Sequence, residues 1–262
     1  MEESSPQLNI ASTVARMNRQ CIIRLTRSSF CFNITDDNVS MVWIELDSDK
    51  FFEDYVIAGK SQELDEIHLE LNAAMLSKSV TSLKCTAKSV KIKLTHKKQP
   101  CLTFEIELPS MSVESRLCVH DVPVTVIPPK KWHQFSEPCI AKYDISLEMP
   151  QCKPLKNVVD RMRNMSSVLS ITADERGVLA FSVDSDMASI TVHFPDLRVF
   201  ECTTKRSLVA RVGLKKFHSF LLWDFIQFST TKFRILSGRM INIQLELENH
   251  LLVKYYITTV DS

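Results

Sequence analysis

Four stretches of this chain have the spacing of amphipathic helices, and between them they contain a single acid. Asn9–Gln20, Asn72–Lys88, Gln151–Ser166 and Gly213–Trp223 hold eleven Lys/Arg and only Asp160, a net +10. The whole chain carries +1, which leaves −9 for everything else. A near-neutral protein that sorts its cations onto one kind of element builds a surface for a polyanion. Each stretch also has one apolar stripe, so a fold must bury four stripes while leaving four basic faces outside.

The stretches sit at matching places in two halves. In the first, Ile10, Val14 and Met17 form the stripe of a helix over Asn9–Arg19, with Thr13, Arg16 and Gln20 opposite. A hairpin follows, Cys21–Arg27 and Phe30–Ile34, turning at Ser28-Ser29. Val39–Leu46 alternates Met41/Trp43/Glu45 with Val42/Ile44/Leu46, the period of a third strand. After a strand at Ile67–Leu71, Asn72 caps a helix to about Leu83, with Leu76, Val80 and Leu83 inward and Lys78 outward. Strands Ser89–Leu94, Cys101–Leu108 and Ser115–His120 close this half.

The second half repeats the order. Strand Tyr143–Met149 stops at Pro150, and Pro154 suits the first turn of a helix. That helix puts Leu155, Val158, Val159, Met162 and Met165 on one face and Lys156 and Arg163 opposite. The hairpin Val168–Ala173/Val178–Val183 turns at Asp174–Gly177. Strands Met187–Phe194 and Leu208–Val212 lead to a helix with Leu214, Phe217 and Leu221 inward and Lys215 and Lys216 outside. Strands Thr231–Leu236, Ile241–Leu247 and Leu251–Ile257 finish the pattern. Internal identity is low; the order of elements is what repeats. The proline-rich segment between the halves gives the division 1–120, connection 121–142, and 143–262. Alternating strands with one buried face and helices with one stripe are both satisfied by outer sheets with helices laid on one side, an α+β arrangement of two similar domains.

Composition narrows the classes. Apolar residues at 45% supply a core, and no apolar run approaches the roughly 20 residues that span a bilayer. Met1–Leu8 is acidic and polar, not a signal peptide, so Asn33-Ile34-Thr35 and Asn164-Met165-Ser166 read as chance glycosylation matches. The eight cysteines contain no Cys-x-x-Cys and lie mostly in strand-like runs, as reduced thiols of a cytosolic or nuclear protein do. The four glycines, at 59, 177, 213 and 238, allow no phosphate loop. No His/Cys cluster has metal spacing, so no metal or other cofactor is expected. His120 and Asp121 are adjacent on a strand and so point to opposite faces, unlike a catalytic pair. No nucleophile elbow is present, and the reading is non-enzymatic.

Several runs of residues carry a family resemblance. They are Asp65-Glu66-Ile67-His68-Leu69-Glu70-Leu71, Val90-Lys91-Ile92-Lys93-Leu94-Thr95, Pro100-Cys101-Leu102-Thr103, Leu108-Pro109-Ser110-Met111-Ser112 and His120-Asp121-Val122-Pro123-Val124-Thr125-Val126-Ile127-Pro128. They resemble the Hus-type subunit of the heterotrimeric checkpoint sliding clamp, the nine-one-one relative of PCNA. The resemblance is dense from Met41 to Trp132, continues through Lys153–Met165 and thins after Phe194. It implies a PCNA-like clamp fold with four inner basic helices. It also implies a 1:1:1 ring with Rad-nine-type and Rad-one-type subunits, placed on duplex DNA at damage sites by a checkpoint clamp loader. Such a ring recruits repair enzymes and supports checkpoint signalling in the nucleus, with unassembled subunits also in the cytoplasm and none at membranes.

On this resemblance Arg16, Arg19, Lys78, Lys84, Lys156, Arg163, Lys215 and Lys216 face DNA phosphates without reading bases. The bland alternative for each is a solvated helix face. Subunits of such clamps join edge to edge, here Ser115, Arg116, Leu117, Cys118, Val119 and His120 against Met187, Ala188, Ser189, Ile190, Thr191, Val192 and His193, unless these strands are internal. The connecting segment matches the loop under which clamps take partner peptides, with Pro123, Val124, Trp132 and Phe135 as pocket candidates and a core-anchoring role open for Trp132. The chain departs from the family in two places. Met1–Leu8 replaces the usual basic-aromatic first strand, which exposes a neighbouring edge in the first half. The loop from Phe194 to Ser207 is also short. A scaffold or paralogue that binds clamp partners without encircling DNA is the alternative reading.

Overall fold

The computed structural model describes residues 6–36, 40–59, 61, 65–81, 87–109, 116–248 and 250–260. Its elements fall into two units, Met1–Ile34 with Asp47–Ser136, and Thr35–Leu46 with Glu137–Ser262. The structure is α+β, and its strand pairings are antiparallel.

In the first unit, α1 (Pro6–Met17) opens on proline, whose fixed φ and missing N–H cost nothing in a first turn. Ile10, Ala11 and Val14 are buried under it. Hairpin β1 (Gln20–Leu25) and β2 (Ser29–Asp36) turns through Thr26, whose hydroxyl bonds both Ser29 N–H and Ser29 Oγ. A short helix α2 (Ser48–Phe51), not expected, is capped by the Asp47 carboxylate. In β4 (Ile67–Asn72) the strand ends as Asn72 turns its Oδ1 to the N–H groups of Ala74 and Met75 and starts α3 (Ala73–Thr81). Strands β5 (Ser89–His96), β6 (Pro100–Leu108) and β7 (Arg116–Val126) follow. Spatial order is β2-β1-β4-β7-β6-β5.

β7 is longer than the sequence pattern predicts. Arg116–Pro123 pairs with β6, and Val124–Val126 pairs with β4. The segment expected to be loop from Asp121 is therefore strand to Val126. The proline at 123 does not end it, because β-branched valines on either side keep the extended backbone and Val122 and Val124 are buried. The chain then tightens into a 3-10 turn, Pro129–Phe135. Trp132 fixes that turn by donating its Nε1–H to Ile127 O at 2.9 Å and stacking on His68, ring centroids 4.7 Å apart.

The second unit holds two sheets. One runs β12 (Val199–Cys202), β8 (Ile145–Glu148), β14 (Thr230–Leu236), β15 (Met240–Leu247), β16 (Leu251–Thr258), β3 (Ser40–Asp47). The other runs β11 (Ser189–Phe194), β10 (Leu179–Asp184), β9 (Val168–Ala173), β13 (Leu208–Gly213). Helices α4 (Cys152–Arg163) and α5 (Leu214–Ser219), the latter running on into a 3-10 turn at Phe220–Trp223, pack against each other. Each fully buried Leu, Ile, Val or Phe stabilises the fold by roughly 1.5–3 kcal/mol. β12 falls where a loop was expected; four residues of mixed burial give too short a period to show. Gly177 closes the β9–β10 turn with φ +79°, and Leu197 O approaches to 2.1 Å from where a Cβ would sit.

His68 is buried, and burial holds its pKa below the ordinary imidazole range, assisted by Arg24 and opposed by Glu66. Between the lowered folded value and the unfolded value of about 6.5, the unfolded chain takes up a proton and the folded chain does not. Stability therefore falls as pH drops through that window. Thermal melts should show the wild-type midpoint falling from about pH 7.5 to about pH 5.5, and falling less in His68→Phe, which keeps a ring against Trp132. An equal fall in both would remove His68 as the cause.

Candidate nucleic-acid interface

In the first unit α1 and α3 lie side by side, Ser12 Oγ 3.4 Å from Ser77 Oγ. Ile10, Thr13 and Val14 on one helix and Ala73, Leu76 and Ser79 on the other are buried. Arg16 and Lys78 are exposed, as their place opposite those stripes requires, and so is Arg19 just past the end of α1. Lys84 lies outside the described residues. Lys88, also exposed, extends this set beyond the residues singled out from sequence.

The second unit modifies the expectation. Leu155, Val159 and Met162 form the buried stripe of α4. At 100° per residue, Lys156 and Arg163 lie on its flank, while Lys153, Asn157, Arg161 and Asn164 lie opposite the stripe. All four of these are exposed. The flank faces α5 and the turn after it, and there charges are paired. Lys156 Nζ donates to Asp224 at 2.6 Å, with both side chains 30% exposed. His218 Nε2 lies 2.8 Å from Asp160 Oδ1, and Arg163 Nη1 lies 3.5 Å from His218 Nδ1. Lys156 is thus not a cation open to solvent. Asp224 stands one residue past the counted stretch, so a tally by segment missed it. Asp224, after burial, also pushes the Cys152 thiol up, to about 11. Arg163 and Lys215 are exposed, and Lys216 is half-buried. Behind them the Phe220–Trp223 turn is buried, with Trp223 Nε1–H on Tyr255 Oη at 2.8 Å and the Tyr255 hydroxyl on Ser219 O at 3.2 Å.

The two expected edges are open edges. No strand among the described residues flanks the other side of Arg116–His120, where Leu117 is 65% and Val119 49% exposed. Cys118 and His120 are half-buried, with Cys118 Sγ 3.1 Å from His120 Nε2. Asp121 points to the other face, where Thr103 donates at 2.6 Å and Lys97 at 2.7 Å; those two bonds hold its carboxyl below the usual range. The two residues are separated as strand alternation requires. β11 ends its sheet with Ser189, Thr191 and His193 exposed and Ile190 and Val192 half-buried; Met187 and Ala188 precede it in an exposed turn. Ser115 lies outside the described residues.

The second unit contains one such junction already joined. β5-β6-β7 and β14-β15-β16 are the same trio, the first following α3 and the second following α5. β16, the counterpart of β7, pairs with β3 from Leu251↔Leu46 to Ile257↔Ser40. β3 follows its hairpin as β11 follows β10, so β3 is the counterpart of β11.

The four pocket candidates have separate fates. Val124 is buried opposite Leu71, and Pro123 is half-buried opposite Cys101. Trp132 anchors the turn, and Phe135 O accepts from Asn33 Nδ2 at 2.7 Å. An open cleft of about 400 Å³ follows in the second unit, lined by Pro138, Ile140, Tyr143, Arg234, Lys254 and Tyr256. Glu137 accepts from Lys254 Nζ at 2.6 Å and Tyr256 Oη at 2.5 Å beside it. Its lining comes from segments a hundred residues apart, which no local pattern links.

The sequence matches the family described as Hus1-like protein over residues 1–261. It is 37% identical over 192 residues to Checkpoint protein HUS1 of Homo sapiens, covering 72% of this chain and 68% of that protein. It is 27% identical over 196 residues to Checkpoint protein Hus1-like of Drosophila melanogaster, covering 72% and 70%, and 25% identical over 190 residues to Checkpoint protein hus1 of Schizosaccharomyces pombe, covering 72% and 65%. No helix among the described residues is long and apolar enough to cross a membrane.

The ion pair and the open cations should separate experimentally. Lys156→Gln is expected to lower stability by about 0.5 kcal/mol at low salt and Lys215→Gln by less, with the difference closing in about 1 M NaCl. Equal effects in denaturant titrations would mean that the Lys156–Asp224 contact contributes nothing.

Proposed function

The chain belongs to the Hus1-like family, and from that premise we propose that it forms one third of a heterotrimeric ring that encircles duplex DNA at sites of damage. As a family member it is a subunit of the DNA-damage checkpoint clamp, with the PCNA-like fold, and proteins of that response are typically nuclear. The ring, its partners of the Rad-nine and Rad-one types, the clamp loader and the DNA are our reading. The observation that carries it is the β16–β3 pairing. One joined junction and two open edges of the same kind, β7 and β11, are what a chain needs to link head to tail with neighbours. Heterologous contacts of this kind close into a ring when the rotation fits.

In such a ring Arg16, Arg19, Lys78, Lys153, Arg161, Arg163 and Lys215 meet phosphates through exposed cations. Encirclement makes each contact dispensable, because the topological link, not affinity, retains the DNA. Repair enzymes dock at the segment after β7, where Trp132 and Phe135 set the turn and the cleft beside Tyr143 and Lys254 begins. A second reading, a scaffold that joins the partners without embracing DNA, is favoured by the pairing of Lys156 with Asp224, which removes one expected phosphate contact.

Co-expression with the two other clamp subunits, followed by light scattering, should give a 1:1:1 complex. Leu117→Lys with Val119→Lys should leave the monomer melt unchanged within about 0.5 kcal/mol, because both sites are exposed, and should abolish the complex. A complex that survives both substitutions rules out β7 as a joining edge. Arg16, Lys78, Arg163 and Lys215, all reversed to Glu, should keep the complex and reduce its loading onto closed circular DNA at about 0.15 M salt. A wild-type complex that is never retained on such DNA would favour the scaffold.

A further inference from the structure

Both units carry the same trio of strands, but only one trio is completed at its far edge. The registers match position by position: Ile92 lies opposite Phe104 as Phe233 lies opposite Ile243, and Leu94 opposite Leu102 as Ile235 opposite Ile241. In the second unit the outer edge of β14 is taken by β8, with Leu147 opposite Phe233 and Ile145 opposite Ile235. Phe233, Ile235 and Leu147 are 0% exposed and Ile145 1%. In the first unit β5 is the last strand in its sheet among the described residues. Its Val90, Ile92 and Leu94 are 38%, 42% and 45% exposed, although their partners Ile106, Phe104 and Leu102 on β6 are buried. The apolar face runs onto β5 and stops there uncovered. An exposed, regular strand with an apolar row is a template for another strand.

We propose that the outer edge of β5 is a β-augmentation site that takes an extended segment of another protein, antiparallel, in the pattern apolar–polar–apolar–acid. The pattern is that of β8, Ile145-Ser146-Leu147-Glu148. There Glu148 stands opposite Lys232. The position of Lys232 in the trio is that of Lys91 in β5, so an incoming acid meets a cation there. The neighbouring cation, Lys93, is held by Glu105 at 2.7 Å on the same face, which leaves Lys91 to set the charge preference at the edge. A second copy of the chain does not fit. Pairing β5 with itself antiparallel about Ile92 places Lys91 against the second copy's Lys93 at two positions, and like charges directly opposite destabilise a sheet. The site is independent of the ring, since β7 lies on the far side of β6.

The test uses the full chain and a fluorescein-labelled, capped peptide of the sequence Tyr-Asp-Ile-Ser-Leu-Glu-Met, copied from Tyr143–Met149. Anisotropy should show saturable binding. Ile92→Lys in the protein should weaken it about tenfold or more, and Glu→Lys in the peptide, which leaves the protein untouched, should do the same. Hydrogen exchange should slow at β5 amides when the peptide is present. Absence of saturable binding overturns the proposal, as does binding indifferent to both substitutions. A dimer mass that Ile92→Lys reduces to a monomer overturns it in favour of a second copy. Slow β5 exchange without peptide, abolished by deleting residues 1–5, overturns it in favour of the chain's own N-terminus.

Discussion

A strand has two edges, and the N–H and C=O groups along each require partners. β16 has both edges filled, by β15 over Leu251–Thr258 and by β3 over Leu251–Ile257. Its residues Leu251, Val253, Tyr255 and Ile257 are buried as a result, and Tyr255 then supplies the hydroxyl that holds Trp223 and Ser219. The placement of α5, and of the exposed Lys215 on it, depends on that chain of contacts. Among the described residues, Arg116–His120 of β7, β11 and β5 are filled on one side only. The same physical requirement that builds the second unit therefore marks where the molecule is unfinished.

The helices show a second requirement at work. A buried stripe fixes which residues can reach solvent, but not which of those remain charged toward it. On α4 the residues directly opposite the stripe are open, whereas those on the flank meet another element and find counter-ions there. Lys156 with Asp224 and Asp160 with His218 join α4 to α5, so part of the basic character reads as cement between helices and part as surface. Helix α1 brings the exposed Arg16, with Arg19 just past its end, and no acid in its first turn. The distribution suits a surface that touches many phosphates lightly and reads no bases.

Most of the architecture was legible in the periodicity. The hairpin at Thr26–Ser29, the cap at Asn72, the stripe of Leu155, Val159 and Met162, and the order of elements in both halves are all local patterns, and local patterns are what a sequence displays. The failures have a common cause. β7 continues past Pro123 because its partner changes from β6 to β4 at that point, a tertiary fact. β12 is four residues long and gains its identity only from β8. Asp224 pairs with a lysine 68 positions earlier, and the cleft at Tyr143 draws on Arg234 and Lys254. Of the candidate site, the open edges were visible as short apolar alternations. Their openness was not, because it depends on what the neighbouring strands fail to supply.

The stack of Trp132 on His68 has a consequence for anything that approaches the segment after β7. Loops that order only on contact spend part of the contact energy on lost conformational freedom, on the order of 1–2 kcal/mol per residue fixed. Here the turn is held at its start by the indole on Ile127 O and His68, and at its end by Asn33 on Phe135 O. A peptide that docked there, as proposed, would meet a strap that is already shaped, so little of its interaction energy would be diverted to ordering the receiver. Selectivity among ligands then comes from their own stiffness and fit, and a pliant sequence is penalised for its own disorder alone.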